Sequence, residues 1–176
     1  MNGLFGRHAR RGLFAVALLV VTTPTALGAA TLPPLTSEGW GELRIGMPER
    51  DAVHRFHLQN SDAALGEEGC REMILPTHPH LVVMMQKGRV ARLSVYERGA
   101  FATDRGFKIG DREVDVHKAY GTALKVEPHV YADPPAHYLT SWTKPGKRGV
   151  RFETDGQRIG AIHVGTDAIE YVEGCL

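Results

Sequence analysis

The sequence predicts an α+β fold of two tandem repeats, each a short helix followed by antiparallel strands, forming a sheet with helices on one side. Two observations carry this expectation. LRIGMPERDAV (43–53) and FKIGDREVDV (107–116) share an apolar-x-Ile-Gly opening that runs into a helical stretch. GRVARLSV (88–95) and QRIGAIHV (157–164) are alike too, each entering a strand from a glycine-containing turn. Two matches in the same order, with the same expected local structure, mark a duplicated unit.

Taken in order, residues 1–30 read as a signal peptide. Arg7, Arg10 and Arg11 precede the apolar run GLFAVALLVVTT (12–23), and TPTALGAA (23–30) ends in small residues, with cleavage expected after Gly28 or Ala30. The run is too short to span a bilayer, which takes roughly 20 residues. No cysteine follows the expected cleavage site closely, so lipid attachment is not expected, and Arg10-Arg11 lacks the rest of a twin-arginine signal. TLPPLTSEG (31–39) reads as a leader to the domain. The first helix-plus-sheet repeat is expected over 40–100 and the second over 101–176, as one compact unit.

In the first repeat, Pro48 suits a first helical position. Glu49 and Asp51 suit the positive end of the helix dipole, and Val53 with Phe56 makes an apolar i, i+3 pair. LQNSDAALGEEG (58–69) is a polar loop. CREMILP (70–76) is a strand stopped by Pro76, and LVVMMQ (81–86) turns through Lys87-Gly88 into RVARLSVYE (89–97), whose alternation breaks at Ala91-Arg92. In the second repeat Asp111 is the expected N-cap. Val116, Ala119 and Tyr120 form the apolar face, and Gly121 is the stop. LKVEPHVYADPPA (124–136) reads as a loop and HYLTSWTK (137–144) as a strand. GVRFET (149–154) and QRIGAIHVG (157–165) form a hairpin about Asp155-Gly156, a dipeptide that supplies the positive φ of a two-residue turn. IEYVEGCL (169–176) is expected to close the sheet as a last strand.

Ile45-Gly46-Met47 and Ile109-Gly110-Asp111, each followed by a short helix and antiparallel strands, resemble the repeat of the beta-lactamase-inhibitory-protein-like fold. The small lipoprotein of the outer-membrane assembly machinery carries a similar Ile-Gly-Met segment once. The resemblance covers about residues 40–176 and implies fold and tandem architecture. Met47 gives way to Asp111 in the second copy, the lipid-anchoring cysteine is absent, and each half holds one cysteine rather than its own pair.

Composition narrows the function. Without Arg7, Arg10 and Arg11, the 21 lysines and arginines no longer outnumber the 20 acids, so neither a nucleic-acid partner nor a polybasic membrane surface is expected. Nothing after residue 31 is long and apolar enough to span a membrane. Cys70 and Cys175, the two cysteines of an exported chain, suggest one disulfide; two buried thiols, or a reactive Cys175, are the alternative.

No catalytic constellation stands out. RIGMPE holds one glycine and no Walker or dinucleotide pattern, so Gly46 and Gly110 read as turn glycines. His54 with His57, and His78 with His80, could offer paired imidazoles to zinc or copper, yet no third ligand can be named from spacing, and surface histidines are the plainer reading. Ser37, Ser61, Ser94 and Ser141 sit in no nucleophile-elbow context. Glu67-Glu68, and Glu170 with Glu173, read as solvated pairs. No catalytic, cofactor or metal residue is therefore assigned. Tyr131, Tyr138 and Trp142 are the candidate binding surface, Tyr138 and Trp142 sharing one face of a strand; the competing reading packs them in the core. The expected function is an exported cell-envelope binding or protein-interaction module, non-catalytic, periplasmic or secreted from a bacterium. Its partner would be another envelope protein or a glycan. The alternatives are a carbohydrate- or peptidoglycan-binding module stacking sugars on Tyr131, Tyr138 and Trp142, and a small periplasmic hydrolase or metal-binding protein.

Overall fold

The computed structural model describes residues 32–61, 69–144 and 147–175; the expected signal peptide lies outside the described residues. Two antiparallel sheets are built from them. β1 (Leu35–Thr36), β2 (Gly39–Trp40) and β3 (Leu43–Arg44) make a small one. The large one holds β4 (Gln59–Asn60), β5 (Cys70–Leu75), β6 (His78–Gln86), β7 (Arg89–Val95), β8 (Leu124–Pro128), β9 (His137–Lys144), β10 (Arg148–Thr154) and β11 (Ile159–Gly165). Its spatial order is β4-β5-β6-β7-β11-β10-β9-β8, so two four-stranded runs meet where β7 pairs with β11. Two α-helices, α1 (Glu49–Phe56) and α2 (Glu113–Tyr120), complete the α+β architecture among the described residues.

Each helix is fastened at its start to the last strand of a hairpin. The Gly46 N–H donates to Val90 O at 2.7 Å, Val90 N–H to Met47 O at 3.0 Å and Glu49 N–H to Gly88 O at 2.8 Å. At the second helix, Gly110 N–H donates to Ile159 O at 2.8 Å, Ile159 N–H to Asp111 O at 2.9 Å and Glu113 N–H to Gln157 O at 2.8 Å. An arginine closes each join: Arg89 donates to Gly46 O at 2.9 Å and Arg158 to Gly110 O at 2.8 Å. Gly46 and Gly110 take φ of +87° and +92°, a region that costs residues with a Cβ about 1–2 kcal/mol. Asp111 caps the turn rather than the helix: its Oδ2 accepts the Lys108 N–H at 2.8 Å, and Arg112 occupies the N-cap position.

One apolar core lies between the helices and the large sheet. Ala52 of α1 and Val116 and Tyr120 of α2 meet Leu81, Val83, Leu93, Leu139, Phe152 and Ile162 of the sheet in a single cluster. The alternation that feeds this core shifts by one residue at Ala91, where the pairing jumps from Met84↔Arg92 to Met85↔Val90. A bulge there lets Val90 and Leu93 both face the helices.

Two segments differ from expectation. Leu124–Pro128, expected as loop, pairs along β9 and forms the sheet edge. The last segment is not a strand. β11 ends at Gly165, where a side chain would lie 2.2 Å from Ala91 O. Thr166 then accepts the Ala168 N–H at 3.3 Å, and Asp167–Glu170 winds into a 3₁₀ turn. The chain therefore leaves the middle of the sheet at the end of β11 and crosses the face opposite the helices. Cys70 and Cys175 form the expected disulfide, with Cα atoms 5.4 Å apart.

Candidate functional site

Strand alternation puts every second residue of β5 to β11 on the face away from the helices, where a half-buried sheet ordinarily meets water. Here that face carries charge under cover. Arg92 is almost wholly buried; its guanidinium reaches Glu72 Oε1 at 3.1 Å and donates to the carbonyls of Ala168 at 3.1 Å and Tyr171 at 2.8 Å. The C-terminal segment is thus held across β7 by one side chain and to β5 by the Cys70–Cys175 bond. Met84, Ala91, Ala168 and Cys175 pack into a second, small apolar cluster beneath it. This is why β7 is buried on both faces.

Beside this cover runs a chain of polar side chains. His163 is 2% exposed; its Nδ1 meets Ser94 Oγ at 2.8 Å and its Nε2 meets Glu153 Oε1 at 3.0 Å. Burial pulls the imidazole below its ordinary range, Glu153 opposing and Arg92 and Arg151 adding to the fall. The neutral ring donates through Nε2 to the carboxylate and accepts the serine hydroxyl at Nδ1. Burial raises Glu153, but the hydrogen bond from His163 and the neighbouring His129 outweigh it and hold the carboxyl below the usual glutamate value. His129 accepts the N–H groups of Tyr131 and Ala132 at Nδ1, both at 3.1 Å, which aims its Nε2–H at Glu153 Oε2, 3.6 Å away. At the other end, the Tyr96 ring stands edge-on to His163 with centroids 5.6 Å apart. Burial of its hydroxyl pushes Tyr96 up, against the opposing pull of Arg92 and a hydrogen bond with Ser94.

A serine, a histidine and a glutamate in one hydrogen-bonded line invite comparison with a nucleophilic triad. Ser94, however, is 1% exposed and its hydroxyl is held by His163, so its oxygen is closed to a substrate carbonyl in this structure. The line is a satisfied polar layer, which buried charge requires.

The three aromatic residues expected as a platform fall in three environments. Tyr131 is 62% exposed, and its hydroxyl donates to Glu173 Oε1 of the C-terminal segment. Tyr138 is 2% exposed, stacked on His129 at 4.3 Å and capped by the Arg151 guanidinium at 3.9 Å. Its place on the surface is corrected: Arg151 and His129 occupy the side from which a ligand would stack. Trp142 is half-buried over Gly149, the strand position opposite it, sharing that space with Ile169. The exposed apolar residues of this region are instead Val130 and Tyr131 on the loop and Tyr171 and Val172 on the C-terminal segment, with Tyr96 at the margin. Tyr171 Oη accepts from Gln86 Nε2 at 2.9 Å, so its ring is anchored by its polar tip.

On the helix side, Glu113 gathers a separate cluster. Its Oε1 lies 3.2 Å from His117 Nε2 and 3.0 Å from His137 Nδ1, and its Oε2 accepts the Thr154 hydroxyl. Burial raises Glu113, but the hydrogen bonds from Thr154, His117 and His137 bring it below the ordinary glutamate value. The paired histidines considered as metal ligands lie elsewhere: His54 and His57 are exposed on and just after α1, and His80 pairs with Glu97 at 3.0 Å. Among the described residues no group of three or more His, Cys, Asp or Glu could hold a metal ion.

Arg92, Arg151 and Glu153 escaped sequence reasoning, as did Glu113 on α2. The signal of the three strand residues, a charged or polar residue at every second place in ARLSV and VRFET, is also that of an ordinary solvent-facing strand. Only the cover laid over the sheet converts it into buried charge.

No protein-family model and no curated protein matches the chain. Among solved structures, the chain is similar to an extracellular protein containing a SCP domain from Bacillus anthracis, with a TM-score of 0.49 and 9% identity, over 84% of this chain and 50% of that one.

Proposed function

We propose that the protein is an exported, non-catalytic interaction module of the bacterial cell envelope, built from two copies of one helix-plus-strands unit, and that it binds a partner protein on the sheet face away from the helices. One observation carries the binding reading: Val130, Tyr131, Tyr171 and Val172 expose apolar and aromatic surface where the loop and the C-terminal segment meet. Tyrosine supplies a large contact area at low entropic cost, and this residue type is enriched where partners dock. The backing is rigid, because the segment is pinned by Arg92 and by the disulfide. The duplicated unit is supported by the matching hydrogen bonds at Gly46 and Gly110 and by the mirrored strand order. These also favour the beta-lactamase-inhibitory-protein-like arrangement. Export is supported by the leader-like residues 1–30 and the disulfide, and among the described residues no helix is long and apolar enough to cross a membrane. A glycan-binding module keeps only Tyr131 of its three stacking residues fully exposed.

Affinity capture from a cell-envelope extract tests the reading. The mature protein should retain a discrete protein partner, and Tyr131→Ala with Tyr171→Ala should release it while leaving the thermal unfolding transition in place. Empty capture alongside binding on a glycan array would overturn it.

A further inference from the structure

We infer that the partner presents a basic segment to this face, an arginine or lysine side chain entering the depression beside Tyr171. The inference rests on the binding reading above and specifies its chemistry. The depression has a volume of about 310 Å³ and is lined by Tyr171, Val172, Glu173 and Gly174. It therefore offers an aromatic ring, an aliphatic wall and a carboxylate within one short stretch. That combination fits a long cationic side chain, whose methylene stem packs on apolar surface while its charge meets the carboxylate and the ring.

The charge around the depression favours the same occupant. The cations of this face are already engaged: Arg92 with Glu72 at 3.1 Å, Arg151 with Glu127 at 3.7 Å, and Lys125 with Glu127 at 2.9 Å and Glu170 at 3.6 Å. Arg92 and Arg151 are moreover buried. In the loop and the C-terminal segment, Asp133, Asp167 and Glu173 are exposed and have no ion-pair partner among the described residues, and Glu173 lines the depression itself. Glu173 accepts the Tyr131 hydroxyl, which ties the loop to the C-terminal segment. A partner of the same sign would leave these groups facing like charge, which is how such a surface rejects wrong partners.

Three peptides of one length test this on the intact mature protein by amide chemical-shift mapping: one with arginines spaced by leucines, one with glutamates replacing the arginines, one with glutamines. The arginine peptide should shift the amides of 129–133 and 170–174. Its affinity should fall about tenfold in Glu173→Gln, the worth of one charge-assisted hydrogen bond. It should also weaken as the Debye length shrinks from about 10 Å at 0.1 M salt to about 3 Å at 1 M. Glu173→Gln replaces an exposed side chain, so an unchanged amide spectrum elsewhere shows an intact fold. If the glutamate or glutamine peptide shifts the same amides as strongly, the face binds but the basic-partner inference is wrong. The inference is also overturned if the arginine peptide shifts no amide of this face, if Glu173→Gln binds it as well as wild type, or if sedimentation shows the face occupied by a second copy of the chain. Whether the envelope extract yields a partner judges the binding reading separately.

Discussion

At the scale of single residues, the polar layer on the sheet depends on His163 remaining neutral while Glu153 stays ionised. Burial lowers the imidazole in the folded state, so the unfolded chain binds the extra proton more readily. Stability then rises with pH wherever the unfolded state holds more protons, and this contribution is lost as pH falls below the unfolded histidine value near 6.5. Replacing His163 by Asn removes the titration. Denaturant midpoints measured between pH 7 and 5 should fall more steeply in wild type than in His163→Asn, after subtraction of the slope the other histidines share. Gly149 is a second test at this scale. A Cβ there would lie 2.7 Å from the Trp142 ring and 2.9 Å from Ser141 O. Gly149→Ala should cost about 1–3 kcal/mol, the usual range for overpacking, measured by urea unfolding. Gly46→Ala and Gly110→Ala should each cost about 1–2 kcal/mol for the left-handed backbone, and the second must also displace Arg98, whose guanidinium carbon would be 2.9 Å from the new Cβ.

At the scale of elements, the C-terminal segment is the part that makes this sheet face unusual. The disulfide joins residues 105 apart in sequence. Chain entropy assigns a loop of that size about 4–5 kcal/mol. Cys70→Ser with Cys175→Ser should lower the unfolding free energy by that order, and should accelerate hydrogen exchange at 167–174 before it does so in β7 and β11. How far the elements were legible in the sequence follows from what periodicity can report. α1, α2, the two hairpins and both turn glycines were readable because Gly121, Lys87-Gly88 and Asp155-Gly156 act locally, through backbone dihedrals; Pro48, expected as the first helical residue, instead caps α1 with an extended ψ of 136°, and the helix begins at Glu49. β8 was not, since Val126 stays exposed at the sheet edge and Pro128 ends a strand that reads as loop. The last segment misled for the opposite reason: IEYVEGCL alternates, but the backbone at Gly165 and the Thr166 cap turn it across the sheet. Tyr138, open between surface and core in the sequence, lies in the core; its cover, His129 and Arg151, comes from other strands and loops that no local pattern reveals. Tyr131 was legible; its partner Glu173, 42 residues away, was not.

At the scale of the whole molecule, two four-stranded runs joined through β7 and β11 give a continuous sheet whose helix side holds the apolar core. The opposite side holds a buried polar layer, a disulfide-pinned strap and an exposed group of tyrosines and valines. Ser94 and His163 are covered there. The exposed surface is what a partner can use. Hydrogen exchange on the mature protein, alone and bound to the captured partner, tests this most directly. Slowed exchange confined to 129–136 and 166–175, with α1 and α2 unchanged, is the predicted result. Slowed exchange over the helices, with the loop and the C-terminal segment as free as before, would contradict it.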